Sequence, residues 1–413
     1  RSVFSKCLEL HTQDEWANVT NSLKKLNRFV KKNNEFIRMF HAGVKQVEMD
    51  SSGRILISKD LINFANLQSN IVFSATPFGL EIWNLSDYEK AVNLEDNDFA
   101  QLTEEVMGEK IQMEYHKPVL LNESIDLLSI NPDGTYVDAT FGGGGHSNLI
   151  LEKLGPKGQL FGFDQDPDAL ANNITDPRFT LIPHNFEHLK KFLKLNKIEK
   201  VDGIIADLGV SSHQLNIFKR GFSIRGDGPL DMRMNPKKGI SAAEWLNQVD
   251  EFTLTKALSE YGEVSRPKKL AQIILTAQNK SPILTTKELL DVIEQHGRKG
   301  EKVFAKVFQA IRISINRELE VLEHLLHEGQ KILSYGGRFV IISYHSLEDR
   351  RVKIYFREGQ HSGEAPRDKY GNRLTPFKII TRKPIVPRPK EIEENPRSRS
   401  AKLRAAEKKE IFI

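Results

Sequence analysis

The chain has one cysteine, Cys7, among 413 residues. A lone thiol excludes an internal disulfide and any zinc cage built from cysteines, and it fits a reducing compartment. No apolar run approaches the roughly 18 residues a membrane span needs. The opening residues, Arg1-Ser2-Val3-Phe4, start no signal-peptide hydrophobic region, and they lack an initiating Met, as a fragment or a processed chain would. Three common signatures are also missing. No Gly-x-Gly-x-x-Gly fits a dinucleotide turn, no Gly-Lys-Ser/Thr ends a phosphate loop, and no Gly-x-Ser-x-Gly makes a nucleophile elbow.

What is present is 39% hydrophobic and 28% charged residues, which at this length predicts a soluble globular protein of two or three domains. The net charge of +5 says little alone, but its distribution is uneven. From Lys378 onward Lys378, Arg382, Lys383, Arg388, Lys390, Arg397, Arg399, Lys402, Arg404, Lys408 and Lys409 face only Glu391, Glu393, Glu394, Glu407 and Glu410. Such a tail reads either as a phosphate-contacting arm or as a solvated end.

The most informative stretch is Val137-Asp138-Ala139-Thr140-Phe141 followed by Gly142 to Gly145 and His146. It reads as a strand that breaks into glycines and opens a helix, so the backbone lets a nucleotide-like ligand come close. Phe161-Gly162-Phe163-Asp164 predicts a second strand whose terminal acid is placed for ribose hydroxyls. Asp138, ahead of the glycines, disfavours a pyrophosphate and welcomes an ammonium. S-adenosylmethionine carries an ammonium and a sulfonium and no phosphate, so it suits the loop better than NAD; a plain glycine turn is the alternative.

Further strands are expected at 179–182 and at 201–207, with a helix started by Asp166-Pro167-Asp168, Pro167 at its first position, and another at 186–195. Asn122 or Ser124 is expected to cap a helix ending at Leu128. Alternating strands and helices predict a doubly wound, mostly parallel α/β sheet with ligands at the strand carboxyl ends. Residues 222–300 show no good strand run and read as a helical insertion, with helices at 251–261, 268–278 and 286–295. A helix or helix pair over 304–333 ends at Tyr335-Gly336-Gly337 as a glycine C-cap, and the strand 338–344 resumes the sheet.

Two further constellations carry chemistry. Asp207-Leu208-Gly209 ends the fourth strand, where an acid can hold a target amine and localise its lone pair; capping of the next helix is the alternative. Cys7 lies outside this unit, which argues against a carbon-5 mechanism through a thiol. Ser343-Tyr344-His345-Ser346-Leu347-Glu348-Asp349-Arg350-Arg351 follows the resumed strand. Hydrogen bonding of His345 to a target nucleotide is the preferred reading, against structural capping or weak metal ligation with Glu348. Asp207 and His345 are thus the catalytic candidates, and no metal is expected.

From about residue 113 the chain resembles the RsmH/MraW family. The resemblance rests on Tyr115 to Leu121, Asp138 to Ser147, Asp207 to Gln214, Arg220 to Ser223, Asp227 to Met234, Ser241 to Asn247, His345 to Arg350 and Asn395 to Ser400. Tyr344 stands where the family usually has Phe, and His213 where it has Pro. The resemblance implies a cytoplasmic S-adenosylmethionine-dependent methyltransferase acting on N4 of a cytidine in small-subunit (16S) ribosomal RNA. It implies cofactor contacts by Gly144, Gly145, His146, Asp164, Phe186, Asp207 and Gln214, and a Rossmann-like methyltransferase sheet. A homodimer is a further expectation, and no membrane partner is.

Residues 1–92 read differently, as a helix over 16–40, strands at 44–50, 55–57, 71–74 and 80–83, a helix after Ser58 and another over 87–92. They resemble the MraZ family of DNA-binding, AbrB-like barrels through Asp50-Ser51-Ser52-Gly53-Arg54, Ile55 to Leu61 and Leu80 to Trp83. That family has the Asp-x-x-x-Arg motif twice and this chain once, so a small partial β-barrel is expected, with DNA as its candidate partner. For Asp50 and Arg54 a turn-stabilising salt bridge is the preferred reading over DNA contact. The expected domains are therefore 1–92, an acidic linker at 93–112, a methyltransferase domain at 113–220 and 304–413, and a helical insertion at 221–303.

Overall fold

The computed structural model describes residues 5–13, 15–17, 20, 31–42, 44–76, 79–92, 118–295 and 300–410. Residues 18, 19 and 21–30 of the expected helix over 16–40, the acidic linker and the motif residues Tyr115 to Lys117 lie outside these. The chain falls into two units, 1–112 and 113–413. Among the described residues no helix is long and apolar enough to cross a membrane.

The first unit holds an antiparallel sheet in the order β1-β3-β2, from β1 (Leu8–Leu10), β2 (Ile71–Thr76) and β3 (Gly79–Asn84). Helices Lys59–Phe64 and Leu85–Val92 accompany it. Its buried core is Leu8, Leu61, Ala65 and Ile82, flanked by Ile55, Ile57, Phe64 and Leu67. The expected strands at 44–50 and 55–57 reduce to one bridge, Met49 with Ile55. Alternation there fixes which side chains turn inward but supplies no neighbouring strand to complete a ladder. Ser58 occupies the N-cap without a capping bond; its hydroxyl takes the Lys45 amine at 3.0 Å instead. Asp50 accepts from Arg54 Nε at 3.0 Å and from the backbone N–H of Ser52 and Arg54 at 2.9 Å. The turn-stabilising reading of this motif is therefore what the structure shows.

The second unit is built on a seven-stranded sheet in the order β6-β5-β4-β7-β8-β10-β9. The strands are β4 (Thr135–Asp138), β5 (Gln159–Phe163), β6 (Phe179–Ile182), β7 (Val201–Asp207), β8 (Leu333–Ser343), β9 (Phe377–Ile379) and β10 (Lys402–Lys408). Strands β6 to β8 run parallel, whereas β10 is antiparallel to both β8 and β9. Side-chain alternation sorts the two faces. Ile204, Phe339 and Ile341 join one core with Leu325, Leu326 and Val352. Ile205, Val340 and Ile342 join the other with Ile125, Leu128 and Tyr136. The order reverses about β4, and a crevice opens at such a switch point.

Between β7 and β8 come helices Ala242–Gln248, Glu251–Glu260, Pro267–Lys280, Thr286–Gln295 and Glu301–Asn316, packed about their own core of Leu246, Leu254, Leu270, Ile274, Leu289 and Val307. The predicted long helix is a pair, broken at Arg317, which turns left-handed at φ 51° before Glu318–Ile332.

Three local expectations are corrected. Helix Leu121–Leu128 starts from Leu120 in a left-handed conformation, and neither Asn122 nor Ser124 caps it; the Ser124 hydroxyl donates to Leu121 O at 2.9 Å inside the helix. Gly336 is no helix C-cap. It lies within β8 at φ 81°, where the pairing with β7 slips between Val201 and Gly203, so the glycine serves an irregularity in the strand. The basic tail is no free arm, because Lys402–Lys408 inserts as β10. Buried Arg404 pairs with Asp349 at 2.6 Å, and Lys408 donates to the carbonyls of Gln330 and Leu333 at 2.6 and 2.7 Å.

Candidate active site

A cavity of about 270 Å³ lies at the carboxyl ends of β4, β5, β7 and β8. Its walls include Phe141, Gly142, Gly143, Gly145 and His146 after β4, Asp164 after β5, Asn185 and Phe186 after β6, and Asp207 to Gln214 after β7. Tyr344 after β8, Met234 and Asn395 complete it. The glycine turn is fixed by three bonds. Phe141 N–H donates to Phe163 O at 2.9 Å, Gly144 N–H to Phe141 O at 2.7 Å, and Gly142 N–H to Asp164 Oδ2 at 2.8 Å. Asp166 N–H donates to the other Asp164 oxygen at 2.8 Å.

Asp207 is held differently. Its N–H donates to Thr140 Oγ1 at 2.6 Å, and its Oδ1 accepts from the Tyr344 hydroxyl at 2.8 Å. Burial pushes Asp207 up to about 6 although His146 and Tyr344 oppose it. Burial likewise raises Asp164 to about 6 against the two backbone N–H donors. The same burial lowers His146, whose Nε2 is buried without a partner among the described residues. Tyr344 is raised well above the usual phenol range by burial and by Asp207, so its hydroxyl stays a donor.

Beneath the cavity Asp166 accepts from Gln214 Nε2 at 2.7 Å and pairs with Arg220 at 2.9 Å. Arg220 also reaches Asp168 at 2.7 Å and the carbonyls of Arg233 and Met234 at 3.1 and 3.0 Å. Ser211 and Gln214 form a capping box on the helix Ser212–Asn216. This network ties the cavity floor to the loop carrying Met234.

The structure thus brings Gly145, His146, Asp164, Phe186, Asp207 and Gln214 to one cavity, and leaves out two of the expected residues. Gly144 points away: its φ is +73°, and a Cβ there would meet the Phe141 ring at 3.0 Å. His345 also fails to line the cavity. Its Nε2 lies 3.3 Å from Glu348 Oε1, in a group with Glu318 whose ligand atoms lie within 4.8 Å of one another. Both Glu318 oxygens already accept from Arg312, at 2.8 and 2.9 Å, and Glu348 Oε2 accepts from Tyr344 N–H at 3.0 Å. In this segment Tyr344 is the side chain that faces the cavity.

Asp138 is corrected as well. It is buried behind the loop, bonded to Thr140 N–H at 3.1 Å and Ser147 Oγ at 2.7 Å, and does not line the cavity. Of the three carboxylates that line the cavity, Asp166 is paired with Arg220, whereas Asp164 and Asp207 have no ion-pair partner among the described residues, so a cationic ligand still suits it. Asn395 and Asn185 escaped the sequence reading; only the Asn395-Pro396-Arg397 motif signalled the first of them.

The sequence profile of the MraW methylase family matches residues 113–409. The chain belongs to the MraW methylase family. It is an S-adenosylmethionine-dependent methyltransferase. A profile of the MraZ protein matches residues 39–109. Among curated relatives, the ribosomal RNA small subunit methyltransferase H of Bacteroides thetaiotaomicron is 52% identical over 303 residues, 73% of this chain and 100% of that protein. The protein of the same name in Flavobacterium johnsoniae is 52% identical over 298 residues, 72% of this chain and 98% of that protein. Among solved structures, an rRNA methylase from Streptococcus thermophilus is 12% identical and covers 72% of this chain and 100% of its own, with a TM-score of 0.33.

The cavity fits the methyl donor on its own chemistry. Acidic groups face it from two strand ends, the glycine turn leaves its rim open, and His146 presents an unpartnered buried nitrogen. Among the described residues no Lys lines it to hold a phosphate, and the donor has none.

Proposed function

We propose that this methyltransferase transfers a methyl group from S-adenosylmethionine to N4 of a cytidine in small-subunit (16S) ribosomal RNA, with Asp207 holding the amine. The observation that carries the reading is the Asp207–Tyr344 pair at the cavity wall. The Tyr344 hydroxyl occupies Oδ1, which leaves Oδ2 to accept an N–H from a bound amine. An exocyclic cytosine amine is a poor nucleophile because its lone pair is delocalised into the ring. A carboxylate that takes one N–H fixes the amine's orientation and favours lone-pair density on nitrogen.

Bound S-adenosylmethionine supplies an electrophilic methyl group on a sulfonium sulfur. Asp164 is the candidate for its ribose hydroxyls, Gly145 and His146 for its amino-acid end, and Phe186 for its adenine, with Gln214 beside them. Asp207, ionised at neutral pH with a value of about 6, is suited to take the surplus amine proton as the N–C bond forms. Phe163, Phe186 and Leu208 give the cavity apolar walls.

The names of the curated relatives support ribosomal RNA as the substrate class. The 16S target, a cytoplasmic location and a homodimer belong to the same proposal; light scattering of the full chain tests the last. The domain limits also stand as a proposal, supported by the separate core of the helices between β7 and β8. The test of function is transfer of labelled methyl from S-adenosylmethionine to small subunits lacking the modification, with nucleoside digestion. Label on N4-methylcytidine, lost in Asp207→Ala, is expected. Label on another nucleoside, or none, overturns the reading.

A further inference from the structure

Beyond the acidic cavity lies a second one of about 200 Å³ that shares Gln165, His184 and Asn185 with it. Its sign is reversed. Lys238, Arg317, His184 and His188 line it, and Glu187 is its one carboxylate. Glu187 is taken by Arg317 at 3.7 Å, and Arg317 also pairs with Glu320 at 2.7 Å. Lys238 has no ion pair or hydrogen bond from its amine among the described residues.

The loop that carries Lys238 is built rather than loose. Arg233 forks onto Asp231 at 2.9 and 2.7 Å and reaches Gly239 O at 3.3 Å. Asn235 Oδ1 accepts from Lys237 N–H at 3.0 Å, which leaves its amide N–H groups to donate. Asn316 anchors the loop to the end of its helix, accepting from Met234 N–H at 2.8 Å and donating to Met232 O at 2.8 Å. On the opposite wall His184 stacks on Phe192 at 4.2 Å and 20°. Burial, then Lys238, His188 and Lys191, hold that imidazole below its ordinary value. The neighbouring positive charge thus disfavours a charged His184, and an anion bound between them would favour it.

The methyl donor has no phosphate for these groups, and RNA has one at every nucleotide. We propose that this second cavity is a phosphate subsite, where Lys238, the imidazoles of His184 and His188, and the Asn235 amide hold one backbone phosphate of the RNA strand beside the target nucleotide. The proposal rests on the RNA reading above. It gives the two cavities separate duties: the acidic one takes the cationic cofactor, and the basic one sets the register of the strand.

The test uses the full chain with Lys238→Gln and Lys238→Arg, and Lys157→Gln as a distant exposed control. Filter binding of a single-stranded RNA oligonucleotide across a salt series, without methyl donor, reads the subsite apart from catalysis. Loss of one phosphate contact lowers the slope of log K against log salt by about 0.7. The subsite predicts that drop in Lys238→Gln, a several-fold weaker RNA affinity, a raised KM for RNA, unchanged kcat and unchanged S-adenosylmethionine affinity, with recovery in Lys238→Arg. An unaltered slope, or an equal drop in Lys157→Gln, overturns it. A parent that binds RNA with the predicted slopes yet methylates no cytidine overturns the proposed function and leaves the subsite standing.

Discussion

Two half-buried carboxylates face one cavity from the strands on either side of β4, and they differ in what holds them. Asp164, after β5, has each oxygen fixed by a backbone N–H, from Gly142 and from Asp166. Asp207, at the end of β7, has one oxygen fixed by a side-chain hydroxyl and the other without a protein donor among the described residues. Both are raised to about 6, chiefly by burial. The same charge in the same surroundings therefore serves two purposes. A carboxylate locked by the backbone is a fixed acceptor for a ligand's hydroxyls, and one with a free oxygen can follow an amine whose charge changes during reaction.

That comparison breaks most sharply on Asp207→Asn. If Asp207 acts on the amine, kcat falls by about 10²–10³-fold in single-turnover methyl transfer, as for loss of one preorganised group, while S-adenosylmethionine affinity by calorimetry changes little. Asp164→Asn should do the reverse. Losing a charged acceptor costs about 1.5–3 kcal/mol, so the dissociation constant for the cofactor rises about 10- to 100-fold and kcat at saturation is kept. If both variants fail in the same parameter, the division of roles is wrong.

Acidity tests what the two share. A carboxyl group raised in the folded protein favours the fold below its unfolded value, and this contribution disappears as pH rises through about 6. Asp164 and Asp207 therefore make the unliganded protein less stable at pH 7 than at pH 5, by their own contribution. A cationic cofactor inverts the preference, because it binds the ionised forms. Its affinity should drop as pH falls through about 6, measured by equilibrium binding from pH 7.5 to 5.

The smallest expected effect is that of Tyr344→Phe. The hydroxyl helps to lower Asp207, so its loss should move the acidic limb of kcat to higher pH and reduce kcat only a few-fold. An unmoved limb would detach Tyr344 from the chemistry.

Much of this site was legible before any coordinates. Strands β6 and β7 fall where their apolar runs ended, because buried parallel strands read as continuous hydrophobic stretches between turn residues. The acids at the strand ends followed directly. His345 and Tyr344 show the limit of such reading, since both lie between the end of β8 at Ser343 and the helix that starts at Ser346, where no strand or helix period says which side chain turns inward. Strand β10 was missed because Lys402, Arg404, Glu407 and Lys408 resemble a solvated tail. The pairs Arg404 with Asp349, Lys402 with Asp349 and Arg338 with Glu407, at 2.6, 3.5 and 2.7 Å, and the Lys408 bonds to backbone carbonyls make those charges compatible with a sheet interior, and partners so far apart in sequence leave no local signal. Gly336 misled in the same way, since a glycine after a helical pattern marks a C-cap or a strand irregularity with equal force.

The place of β10 between β8 and β9 has a consequence for the growing chain. Until Lys402–Lys408 is made, the segment Arg338–Ser343 of β8 has no neighbour on that side. It is then an open, apolar edge of the kind onto which strands of other molecules add. A product cut off before β10 would thus lack more than that strand: Asp349 would lose Arg404, β9 would lose its pairing with β10, and the exposed edge would favour aggregation. In this enzyme β10 covers the open side of β8 and protects the chain from its own copies.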